Sequence, residues 1–202
     1  MEARPHSRPD SEGVRWGRGA HGLPVGLLAL DRACRVVRAP GAAVADLSRV
    51  IEIELPSGDT APVVRRRFGQ GERRVVIAAG IRGDAPEGIR VAHRVGAYLE
   101  EHEDRLSGTV DIFPCANPLA AHRGTRNWPF FDTDLNRLFP GKEDGHPPAQ
   151  VARALCNDIA GAEQVIELRG ARPAFSEASQ AIVRHDHDVS AELAMHANVS
   201  VV

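Results

Sequence analysis

RRVVIAAGIRGDAPEGIRVAHRVGAYLEE occupies residues 73–101. Arg73 to Gly80 reads as a buried strand, with Val75, Val76 and Ile77 as its apolar run. A charged, glycine-flanked turn follows. Pro86 then opens a helix to Arg105, in which Ile89, Ala92, Val95, Gly96 and Leu99 recur at helical spacing. Strand, presented turn and amphipathic helix in direct succession are the repeating unit of an α/β fold. The turn exposes Arg82, Asp84 and Glu87, with no His, Cys or Ser among them.

Working outward, VIEIEL at 50–55 alternates apolar and acidic residues as a half-buried strand, and PSGD at 56–59 is a turn. TVDIFP at 109–114, QVIEL at 164–168, QAIVR at 180–184 and the closing NVSVV read as further strands. Helices are expected over Gln150–Ala160, on the stripe Val151, Leu155 and Ile159, and over 188–197. The order predicts a three-layer α/β/α domain around a central, mostly parallel mixed sheet. In such sheets ligands bind beyond the carboxyl ends of the strands. The 80–88 loop, the long loop 115–141 and the turn Leu168-Arg169-Gly170 all fall there.

Composition narrows the classes. With 202 residues, 43% hydrophobic and 26% charged, the chain is long and apolar enough for one globular core. A net charge of −2 supplies no general attraction for nucleic acid or an anionic membrane, and neither is expected as a partner. Lys142 is the only lysine among 25 basic residues; base composition of the genome is the cheapest explanation. Arginines can nonetheless clamp carboxylate or phosphate with parallel donors. Cys34, Cys115 and Cys156 are too scattered for a disulfide framework, which points to a reduced, cytoplasmic setting. Residues 1–47 read as an N-terminal tail (mobile over 1–20) and irregular extension, and 48–202 as the domain. LPVGLLAL at 23–30 is too short to span a membrane, and Asp31-Arg32 follows it where a signal peptide would show a small-residue cleavage site.

The loop 115–141 carries Asn117, Arg126, Asp134, Asn136 and Arg137, braced by Pro118, Pro129 and Pro140-Gly141. Fixed guanidinium and amide groups of this kind suit recognition of a carboxylate. A purely structural loop, in which Asp134 and Arg137 satisfy each other, fits the residues equally well. Other groups carry less. His185-Asp186-His187-Asp188 has metal-site composition, but alternating ligands at a strand-to-helix turn cannot all face one ion, and Asp is a natural helix cap there. A Cys115–His122 nucleophile pair competes with a buried structural Cys. Trp128, Phe130 and Phe131 are expected to anchor the long loop. Arg82-Gly83-Asp84 matches an adhesion tripeptide by coincidence.

Taken together, G-I-R-G-D-A-P-E-G, ANPLA followed by Arg126, D-L-N-R-L-F-P-G and I-E-L-R resemble the succinylglutamate desuccinylase/aspartoacylase family of the zinc carboxypeptidase-like superfamily, over roughly Val63 to Val202. The resemblance implies a zinc hydrolase that cleaves N-acyl amino acids, its metal held by two His and one Glu. Those ligand positions correspond here to Arg82, Ala85 and Arg169, and the Asp neighbouring the last ligand corresponds to Glu167. The family's general-base glutamate would lie beyond Val202. Asn117, Arg126, Asp134, Asn136 and Arg137 match the substrate-binding side. The expectation is therefore a frame without its metal and with no other cofactor. Its arginines either converge on a small anionic metabolite or are neutralised internally by Asp84 and Glu167. A protein partner or second copy at an uncovered sheet edge is expected alongside it. The competing reading is an active metal hydrolase whose site is displaced to His122, His185 or His187, or completed by a partner.

Overall fold

The computed structural model describes the backbone of residues 35–37 and residues 47–171, 174–184 and 186–201. The expected tail, the run 23–30 and His185 lie outside the described residues. Strands β1 (Arg35–Val37), β2 (Leu47–Glu54), β3 (Thr60–Phe68) and β4 (Arg74–Ala79) precede helix α1 (Pro86–Glu101). A 3-10 turn at Glu103–Arg105 completes the segment expected to be helical throughout. Then come β5 (Thr109–Phe113), α2 (Pro118–Arg123), a 3-10 turn at Leu135–Arg137, α3 (Pro147–Ile159) and β6 (Gln164–Leu168). The short β7 (Gln180–Ala181), α4 (Asp188–Met195) and β8 (Ser200–Val201) end the described chain.

Six strands form one mixed sheet in the order β1-β2-β3-β5-β4-β6. β5, β4 and β6 are parallel neighbours, while β1, β2, β3 and β5 pair antiparallel in turn. Four strands therefore run one way and β1 and β3 the other, the mixed α/β sheet that the pattern predicts. α1 covers one face, where Ala92 packs with Phe68, Ala79 and Ile112. α3 covers the other, where Val151 and Leu155 meet Ile51, Ile53, Val63 and Val76.

Four strands depart from the expectation. Arg35–Val37, assigned above to an irregular extension, is an edge strand paired with β2. β3, TAPVVRRRF, was not anticipated because Pro62 and three successive arginines hide its alternation. Pro62 is tolerated because it pairs only toward β2; β5 joins β3 at Arg66–Phe68 alone. β7 and β8 form a separate two-stranded ladder and do not extend the main sheet. Periodicity identifies an extended segment but not what it pairs with. β6 is thus the outer strand of the main sheet, with Val165 exposed.

The arginine run of β3 obeys the period of two. Arg66 faces α1, bonded to Glu100 at 3.0 Å and lying 5.0 Å over the Phe68 ring. Arg65 and Arg67 face the α3 side, where Asp111 of β5 is fully buried. Arg67 donates two bonds of 2.8 Å to Asp111, and Arg74 of β4 donates one of 2.7 Å. Arg65 and Arg74 also hold Asp158 of α3, and Arg74 reaches the Asp158 carbonyl at 2.8 Å near the helix end. Burial alone would raise the Asp111 carboxyl, but the bonds from Arg67 and Arg74 outweigh it and hold it below its ordinary range. No helix among the described residues is long and apolar enough to cross a membrane.

Candidate functional site

β4, β5 and β6 end side by side at Ala79, Phe113 and Leu168, and the loops that leave them build the site. The first loop is fastened to the second. Ala116 N–H donates to the Ala79 carbonyl at 2.8 Å, and Asn117 N–H to the Gly80 carbonyl at 3.0 Å. The Asn117 amide donates to the Ile81 carbonyl at 3.3 Å and accepts from Ala120 N–H at 3.2 Å, which caps α2. Asn117 has no exposed surface, so both ends of its amide are spent on the frame. This residue, placed above among the ligand contacts, braces the loop instead. Asn117→Ala is expected to destabilise the protein by about 1–3 kcal/mol through the lost cap and the stranded carbonyl, read as a shift of the urea midpoint.

Gly83 closes the same junction. Its Cα lies so near the Ala120 carbonyl group that an added Cβ would collide with backbone. That contact fixes the turn from Arg82 to Ala85, closed by a bond of 3.4 Å from Ala85 N–H to the Arg82 carbonyl. Ala85 is buried and immediately precedes α1.

Asp134 gathers the charges. One oxygen accepts Asn136 N–H at 3.0 Å and caps the 3-10 turn. The other accepts Arg126 Nε at 2.9 Å, with Arg126 Nη2 at 2.8 Å, and has Arg82 Nε and Arg137 Nε each at 3.9 Å. Arg169 forms a fork with Glu167, at 2.8 and 2.6 Å, and donates to the Asn136 amide oxygen at 3.1 Å. Glu167 bonds raise the Arg169 guanidinium above its ordinary value, against its burial. Arg82 differs from its neighbours. Its Nε is buried and has no hydrogen bond. Burial, then the charges of Arg169 and Arg126, push its guanidinium below the ordinary value, and Asp134 and Glu167 only partly compensate.

Arg82, Arg126, Asp134, Asn136, Arg137 and Arg169 thus meet at one place. Internal neutralisation holds in part: Glu167 does pair with Arg169, but Asp84 makes no ion pair with Arg82, for which Asp134 is the nearest carboxylate among the described residues. Arg126 and Asp134 also close the base of a hairpin not foreseen in the sequence. Its rungs are the Trp128–Thr133 bridge and the Asn127–Asp132 bond of 2.8 Å. Trp128 is fully buried and Phe131 packs on the core, as loop anchors should. Phe130 does not anchor; it is exposed at the hairpin tip, at φ 70°.

The donor set does not fit zinc. Guanidinium groups have no lone pair to give a metal and alanine has no donor, while Asp134 and Glu167 are engaged by arginines. Among the described residues no three His, Cys, Asp or Glu gather as a metal site. His187 instead caps α4, its Nδ1 accepting from Ser190 N–H at 3.2 Å, and Asp186 pairs with Arg184. Burial pushes the Cys115 thiol up, away from the thiolate, and no hydrogen bond joins it to His122.

Residues 71–169, which hold every residue of this cluster, match the sequence model of the succinylglutamate desuccinylase/aspartoacylase catalytic domain. N-alpha-acetyl-L-2,4-diaminobutyric acid deacetylase of Halomonas elongata is 32% identical over 91 residues, 45% of this chain and 26% of that protein. An aspartoacylase family protein from Mesorhizobium loti superposes with a TM-score of 0.58 at 23% identity, over 80% of this chain and 52% of that one. A succinylglutamate desuccinylase/aspartoacylase from Rhodobacter sphaeroides gives 0.59 at 19% identity, over 83% and 50%. The chain spans about a quarter of the curated relative and about half of each solved structure. The segment 71–169 is thus similar to the catalytic domain of the succinylglutamate desuccinylase/aspartoacylase family, and the sheet it builds has the fold of that family's solved structures.

Proposed function

We propose that this chain is a non-catalytic member of that family, which binds a small carboxylate or phosphate anion where its relatives' chemistry would take place. The reading rests on Arg82, a partly buried cation whose Nε has no hydrogen bond among the described residues, in a cluster that already holds three other arginines. Like charges at such separations repel, and an anion among them removes the repulsion. Arg82 and Arg169 stand at two positions that the resemblance assigns to zinc ligands, so the place stays cationic without a metal. A reduced, cytoplasmic setting belongs to the same reading, on the free thiols of Cys115 and Cys156. A partner strand on the open edge of β6 would make the chain a subunit of a larger assembly.

Titration calorimetry with phosphate and with N-acetylaspartate should show binding of at least one anion, and Arg82→Leu should weaken it about tenfold or more. Zinc added in equimolar amount should not be retained, and N-acetylaspartate should not be hydrolysed. Stoichiometric zinc with turnover would overturn the proposal in favour of a metal hydrolase completed elsewhere.

A further inference from the structure

Within the reading of an anion site, the charges of the cluster select the class of anion. We propose that the ligand is a dianionic phosphate group, inorganic phosphate or the phosphate of a monoester, held by Arg82 together with Arg137 and Arg169.

Two of the arginines are already balanced. Arg126 is spent on Asp134 and Arg169 on Glu167, each through bonds of 2.9 Å or less. Arg82 and Arg137 are not; each stops 3.9 Å from the Asp134 oxygen that Arg126 occupies. The cluster therefore keeps a formal excess of two positive charges, and arginine cannot discharge them by losing a proton. A single carboxylate would offset one of the two. Geometry agrees with charge. The guanidiniums come from three separate elements: Arg82 from the loop after β4, Arg137 from the 3-10 turn and Arg169 from the residue after β6. A planar carboxylate presents two oxygens in one direction, whereas a tetrahedral phosphate spreads its oxygens toward separate donors. Glu167 is the internal competitor, since Arg169 must share or release it to reach the ligand.

The test uses the whole protein in calorimetric titrations at constant ionic strength, with O-phosphoserine, inorganic phosphate, sulfate and acetate as probes. The second ionisation of a phosphate monoester lies near 6, so about a tenfold loss of O-phosphoserine affinity is expected between about pH 8 and pH 5. Sulfate remains a dianion over that range and reports any titration of Asp134, Glu167, Asp84 or Glu87; its affinity should change far less. Glu167→Gln should tighten sulfate about fivefold or more by freeing Arg169, and acetate should bind weakest of all. Preference for inorganic phosphate over O-phosphoserine would assign the free ion, and the reverse a monoester. Acetate binding as tightly as sulfate, or phosphate affinity that ignores pH, would overturn the dianion while leaving the anion site in place. Failure of every anion to bind would overturn both.

Discussion

Asp111→Ala is expected to destabilise the protein by about 3–5 kcal/mol, the usual result of removing one partner from a buried ion cluster. For a chain of this size that corresponds to about 6–20 °C in Tm. The carboxylate is fully buried and takes three hydrogen bonds from Arg67 and Arg74, with Arg65 Nε at 3.8 Å. Its removal leaves those cations facing one another, and Asp158 can answer for Arg65 and Arg74 only. It also loosens the tie through Arg74 between the start of β4 and the last turn of α3. Asp111→Asn keeps the shape and part of the bonding, so its loss should be smaller. Acid has the same effect as the substitution. The folded-state value lies below the ordinary range, so this contribution is complete above about pH 4. It disappears as pH falls through the lower, folded value. Urea midpoints measured down the acid limb should steepen for the wild type and not for Asp111→Asn.

Gly83→Ala should damage the site and the fold together. The new methyl group would meet the backbone of Ala120 and Ala121, which cannot rotate aside as a side chain would. The overpacking costs about 1–3 kcal/mol or more. The strain can relax only by lifting the 80–84 turn off α2, which would carry Arg82 away from Asp134 and Arg126. Anion affinity is therefore expected to fall at least as far as in Arg82→Leu, although no cation has been removed. Equal stability and equal affinity in Gly83→Ala and wild type would show that the junction yields easily.

The alternation in β2 and the strand-turn-helix at 73–101 were legible because their periods are local, and they led to the correct layers. The cluster was legible in part, since the turn at 82–85, the loop at 126–137 and Arg169 lie at strand ends, where ligands gather. What stayed hidden was pairing. Nothing in the composition of Asn117 tells that its amide is consumed by Ile81 and Ala120. Nor does RRR disclose that Arg65 and Arg67 share a buried Asp111 while Arg66 lies across the sheet. Asp84 and Glu167 were equal candidates by sequence distance; Arg169, just past β6, forks onto Glu167, whereas Asp84 makes no ion pair with Arg82 among the described residues.

Arg82 and Arg169 also differ in how freely descent can change them. Arg169 is tied to Glu167 and Asn136, and a substitution there strands both. The Arg82 side chain makes no hydrogen bond to the frame among the described residues, so folding exerts little hold on it. Drift would be expected to erase an arginine whose repulsion by Arg169 and Arg126 is only partly offset by Asp134 and Glu167. If close descendants of the same ancestor keep arginine at this position, selection for what it binds is the force that remains to explain it.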